Sequence, residues 1–129
     1  MRVLIETHGQ GQHHDERDLN EVADVDRLLD ELAVSNDVIL MLGVSEYGDE
    51  AELIVGITRA GYVITRLVDG DFQQLVGSPE AVGETEVMLG GQQTPTPNRW
   101  LTTRVETART IGTYVTDSTY PDGQLWEQP

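Results

Sequence analysis

The chain has 129 residues, enough for one ordinary domain that buries its own core without a covalent staple. It has no cysteine, which excludes disulfides, thiolate zinc sites, iron–sulfur clusters and cysteine nucleophiles. Eight arginines, no lysine and 23 acidic residues give a net charge of −15. Such a potential repels nucleic acid and anionic lipid and favours a basic partner. General solubility, or a salt-loving host, explains the charge equally well when it is taken alone. The acid is unevenly spread: residues 1–71 carry 16 Asp and Glu and five Arg, a net of −11, against −4 over the rest.

No apolar run approaches the roughly 20 residues that cross a bilayer. The opening MRVLIETHGQ lacks the long apolar region and the cleavage site of a signal peptide, so a cytoplasmic protein is expected. Neither a repeat nor a linker divides residues 1–129, which read as a single domain. The use of arginine in place of every lysine suggests GC-rich coding, a property of the host and not of the function.

In chain order, RVLIET at 2–7 reads as a strand, a short apolar run with β-branched residues. GQGQHHDERD has no period and reads as a polar loop. Asp18 and Glu21 have capping-box spacing, and Val22, Val25, Leu28, Leu29 and Leu32 recur at helical spacing, which predicts a helix over 19–34. VILMLGVS at 38–45 reads as a covered or central strand, followed by the acidic loop EYGDEAE. Two strands at 53–58 and 62–68 flank a turn at Arg59, Ala60 and Gly61. A second turn at Asp69 and Gly70 leads to a strand at 72–77.

The stretch 83–91 reads as a fourth strand of this meander, and the proline-rich QQTPTPNRW at 92–100 as an edge strand or extended loop. Thr103 and Glu106 repeat the capping spacing, and Val105, Ala108, Ile111, Gly112 and Val115 mark one face of a helix over 103–117. LWEQP ends the chain with a short strand. The fold class expected is α+β, a largely antiparallel meander sheet with two helices packed on one face.

The chemistry-bearing residue types form no established motif. There is no GxSxG, HExxH or P-loop, and no catalytic residue, cofactor or metal site is expected. His13, His14, Asp15 and Glu16 are the strongest metal-like cluster, but adjacent residues point in different directions and rarely chelate together. A small metal-binding protein or enzyme built on this cluster is the alternative reading, and a self-associating structural or regulatory module is another. His8 has no serine or cysteine motif beside it. Glu46, Asp49, Glu50 and Glu52 lack the spacing of a calcium loop and read as a solvated acidic stretch. Trp100 and Trp126 read first as staples of chain segments to the core.

The C-terminal third carries a resemblance. VMLGGQQTPTP, then a capped helix with VETARTIGTYV, then a turn and the terminal LWE resemble the bacterial polymorphic-toxin immunity proteins of the family called "Imm one". The matching positions are Gly90, Gly91, Gln92, Thr94, Pro95, Ala108 and Trp126, and Tyr114 stands where the helix often carries a bulky aromatic. The early acidic helix, the strand VILMLGV and the hairpin at Gly61 also suit the family. The resemblance implies an α+β fold and a non-enzymatic role: stoichiometric binding of a cognate toxin domain, often a deaminase or nuclease. A toxin that acts on nucleic acid presents a basic cleft, which an acidic protein can occupy in place of phosphate. The expected contact surface is Glu46, Tyr47, Asp49, Glu50, Asp69 and Asp71, two acidic loops brought to one end of the sheet. Tyr47 would be the anchor and the carboxylates would set orientation and association rate.

Overall fold

Alternation with a period of two puts Val3 and Ile5, then Val38, Leu40 and Leu42, then Leu53, Val55 and Ile57 on one side of three strands, and all of them are buried. The computed structural model describes residues 1–8, 11–44 and 51–129. Its strands are β1 (Arg2–Thr7), β2 (His13–Asp18), β3 (Val38–Leu42), β4 (Leu53–Thr58), β5 (Gly61–Val68), β6 (Asp71–Leu75), β7 (Glu84–Leu89), β8 (Gln92–Pro97) and β9 (Trp126–Glu127). The helices are α1 (Val22–Glu31) and α2 (Arg104–Asp117), with a short 3-10 turn at Asn98–Trp100.

Seven strands form one sheet in the order β2-β1-β3-β4-β5-β6-β9, and every pairing is antiparallel. The register aligns the buried residues into rows, Val3–Leu42–Leu53 and Ile5–Leu40–Val55–Ile64. Val25, Leu28 and Leu29 of α1, with Ile111 and Tyr114 of α2, complete the same core. Each fully buried aliphatic side chain here contributes about 1.5–3 kcal/mol relative to an exposed one. The architecture is α+β, a largely antiparallel sheet with both helices on one face, as the sequence led us to expect.

The turns follow local chemistry. Arg59 and Ala60 join β4 to β5. Asp69 (φ 51°) and Gly70 (φ 83°) join β5 to β6, two successive left-handed residues of the kind that match the twist of a hairpin. In α1 the capping box lies one turn later than the sequence spacing suggests. Glu21 is the N-cap, and Asp24 returns its carboxylate to the amides of Asn20 and Glu21 at 2.9 and 3.1 Å. Those two backbone donors hold the Asp24 carboxyl below its ordinary value. In α2 the expected cap is present, with Glu106 N donating to Thr103 Oγ1 at 3.2 Å.

Three readings of the sequence are corrected. His13–Asp18 is not a loop but the edge strand β2, all six residues exposed; its pairing with β1 requires no apolar side chains. The strand at 83–91 does not extend the meander but pairs with Gln92–Pro97 in a separate two-stranded sheet. The proline-bearing segment is thus a strand, since neither of its edges lies inside a larger sheet. Finally, α2 buries Thr107, Thr110, Ile111, Gly112 and Tyr114, and leaves Val105 75% exposed. Threonine serves in this face because its hydroxyl is satisfied within the helix: Thr107 Oγ1 donates to Thr103 O and Thr110 Oγ1 to Glu106 O, both at 2.8 Å.

Candidate binding surface

The strand residues that point away from the helices form a second sheet face, and its two ends differ. At one end, Glu6, Ile39, Gly56 and Val63 share a row. The β7–β8 hairpin covers that end, because Gly56 lacks the side chain that would meet Leu89: a Cβ there would lie 2.6 Å from Leu89 Cδ2. The tip of the hairpin is pinned by a buried carboxylate. Asp37, 3% exposed, accepts hydrogen bonds from Gly90 N and Gly91 N, both at 2.8 Å. Gly90 and Gly91 have φ of 63° and 80°, a conformation that turns both amides to one acceptor and that other residues adopt at a cost. His8 lies beside this latch, its amide donating to Asp37 O at 3.2 Å and its Nε2 2.8 Å from Glu6 Oε1.

At the other end, Leu4, Met41 and Ile54 share a row that stays half-buried. Leu4 and Met41, with His14, Asp15 and Glu16 of β2, line an open groove of about 540 Å³. Apolar floor and acidic rim together suit a partner that brings both an apolar side chain and positive charge.

The contact residues expected from the sequence divide into two groups. Glu46, Tyr47, Asp49 and Glu50 lie outside the described residues. Asp69 and Asp71 flank Gly70 in the exposed β5–β6 turn. Leu53 pairs with Arg66, and Leu67 N donates to Glu52 O at 2.8 Å. This turn therefore lies at the end of the sheet where β4 begins.

At that end the helix face holds a cationic–aromatic cluster that sequence reading did not single out. The Arg66 guanidinium lies 4.1 Å from the Trp126 ring centroid and 5.0 Å from that of Tyr120, and its Nε donates to Gln73 Oε1 at 2.8 Å. Tyr120 stacks on Tyr114 at 5.6 Å, and Tyr114 donates its hydroxyl to Glu52 Oε2. Burial, chiefly, lowers the Arg66 pKa and raises those of Tyr120 and Tyr114; Glu52 adds to the rise at Tyr114 by accepting a hydrogen bond from the neutral phenol and by its negative charge. Trp100 Nε1 donates to Glu127 Oε1 at 2.6 Å. Both tryptophans thus fasten the end of the chain, the stapling role read from the sequence. The signal for this cluster was diffuse: four aromatic or cationic residues spread over β5, α2, β9 and the connection between α2 and β9.

The His13–Glu16 cluster does not converge. On β2, His14 and Glu16 pair with Glu6 and Leu4 on the groove side, while His13 and Asp15 alternate to the other. Among the described residues no three His, Asp or Glu side chains are grouped to hold a metal ion. Among the same residues no helix is long and apolar enough to cross a membrane. No family model, curated protein or solved structure matches the chain.

Proposed function

We propose that this chain is an immunity protein, a cytoplasmic inhibitor that neutralises a cognate bacterial toxin domain by stoichiometric binding, without catalysis, metal or cofactor. The observation that carries the reading is the charge of −15, two-thirds of it and more within residues 1–71, on a domain whose open sheet face combines an apolar floor with an acidic rim. Such a surface attracts a basic protein and supplies apolar area to hold it. The resemblance at Gly90, Gly91, Gln92, Thr94, Pro95, Ala108 and Trp126 supports the toxin as partner. A deaminase or nuclease domain fits, because its nucleic-acid cleft is basic. The acidic segment at Glu46–Glu50 and the Asp69–Asp71 turn supply the orienting charges.

The test is co-expression with the toxin domain encoded by the neighbouring gene. The wild-type chain should restore growth. Reversing Glu46, Asp49 and Glu50 together should weaken binding and restore toxicity, and adding Asp69→Arg and Asp71→Arg should deepen the loss. Undiminished protection by the five-fold variant, with the fold intact, would sink the assigned contact surface. Failure of the wild-type chain to protect would sink the reading itself.

A further inference from the structure

The outer edge of β2 has a property that follows from its ladder. Met1 N donates to Leu19 O, and Leu19 N to Met1 O at 2.7 Å, so this pair exchanges both backbone bonds. Antiparallel pairs alternate between bonded and non-bonded. The backbone groups of Arg17, Asp15 and His13 therefore point inward to β1, and those of His14, Glu16 and Asp18 point outward. Among the described residues no strand pairs with that outer edge. Among the same residues the Glu16 amide alone is engaged there, donating to Asp15 Oδ1 at 2.8 Å within β2 itself. The side chains of His14 and Glu16 lie on the groove side, opposite Glu6 and Leu4. The residues whose backbone is open are thus those that flank the groove.

We propose that β2 is a docking rail for an extended basic segment of the protein partner. That segment adds as a further strand along His14–Asp18 and lays alternate apolar side chains beside Leu4 and Met41. The idea rests on the reading of a basic protein partner and adds to it the mode of attachment. Backbone pairing supplies affinity and alternate side chains supply selectivity in such strand addition. Charge selects the occupant. A second copy of this chain would bring another −15 and, paired antiparallel in the register that sets outward-facing residues opposite one another about Glu16, would place Glu16 against its own copy. The basic side chains of such a segment fall on the helix side, beside Asp15 and Glu31, which share the single counter-ion Arg17 at 3.6 and 2.5 Å.

The probe is a blocked peptide of alternating arginine and valine, about seven residues long to match the strand, added to the isotope-labelled full chain at low salt. Binding should shift the amides of His14, Glu16 and Asp18 and the methyl signals of Leu4 and Met41. Valines over the groove sit opposite the outward-facing residues, so their amides are the ones that donate to β2. N-methylation at the valines should weaken binding at least tenfold, and N-methylation at the arginines should leave it within about threefold. A peptide of the same composition with its arginines clustered should bind at least tenfold more weakly. His14→Pro deletes one outward amide without changing formal charge, at an edge position that tolerates proline; it should cost tenfold while the thermal unfolding midpoint stays within a few degrees. Equal effects of the two methylations, or shifts centred on Asp69 and Asp71, would overturn the rail and leave the reading of a basic partner standing. Absence of any binding also overturns the rail, and the co-expression test then decides the broader reading alone.

Discussion

Arg66 in β5 and Trp126 in β9 are joined by a guanidinium 4.1 Å from the indole centroid, which ties the middle of the sheet to the two-residue strand at its edge. β9 has only Gln74–Glu127 and Leu75–Trp126 as ladder partners, too little pairing to hold it alone. Trp126→Ala should therefore lower stability by about 2–4 kcal/mol in urea unfolding, through lost aromatic area and the lost cation–π contact. A double-mutant cycle with Arg66→Ala should give a coupling of about 0.5–2 kcal/mol. Strict additivity would show that the stacking is incidental.

The β7–β8 hairpin hangs on the Asp37 carboxylate. Asp37→Ala leaves two amides without their charged acceptor, at about 2–4 kcal/mol in total, and should accelerate hydrogen exchange at Gly90 and Gly91 before the main sheet opens. Asp37→Asn keeps one acceptor oxygen and tolerates the φ of 61°, so its effect should be smaller. If the two glycine amides stay protected in the alanine variant, packing of Leu89 on Gly56 holds the hairpin by itself.

Two glycines should respond differently to alanine. At Gly77 a Cβ would lie 2.5 Å from Leu101 O and 2.6 Å from Thr102 Cβ, where backbone cannot move aside. The expected cost is about 1–3 kcal/mol. At Gly70 nothing stands within 4 Å, and only the positive φ resists, at about 1–2 kcal/mol. Replacing Gly70 by Asn, which tolerates that conformation, should recover most of its loss, whereas no side chain should rescue position 77. Rescue at 77 would show that the strand end shifts freely.

The phenols of Tyr114 and Tyr120 give the protein an alkaline limit. Their pKa values are raised in the folded state, so above about pH 10 the unfolded chain loses phenol protons that the folded chain retains. Stability from these groups is fully present below pH 10 and declines as pH rises beyond it. Tyr114→Phe should flatten that decline in unfolding measured from pH 9 to 11, and an unchanged slope would place the effect elsewhere. At the acid end the sign reverses. Asp24 is held low by its capping bonds, so its contribution is present above its ordinary pKa and fades as pH falls below about 3.8.

The sequence by itself determined the layers of this protein. The strand alternation at 38–42 and 53–57, the helical spacing of Val25, Leu28 and Leu29, the turn residues at 59–61 and 69–70 and the cap at Thr103 are short-range signals written in adjacent residues. Each came out as read, and together they specify an α+β sheet with two helices on one face. Tertiary structure alone decided the rest. HHDERD pairs because β1 needs a partner on its outer side and supplies the ladder, which no side-chain period announces. The hairpin at 84–97 leaves the meander because a carboxylate more than 50 residues earlier captures its tip and Gly56 admits Leu89. Threonines could enter the core of α2 because their hydroxyls found carbonyls one turn back. The acidity was plain in the composition; that it borders an apolar groove beside an open strand edge depended on register, which sequence-local signals do not carry.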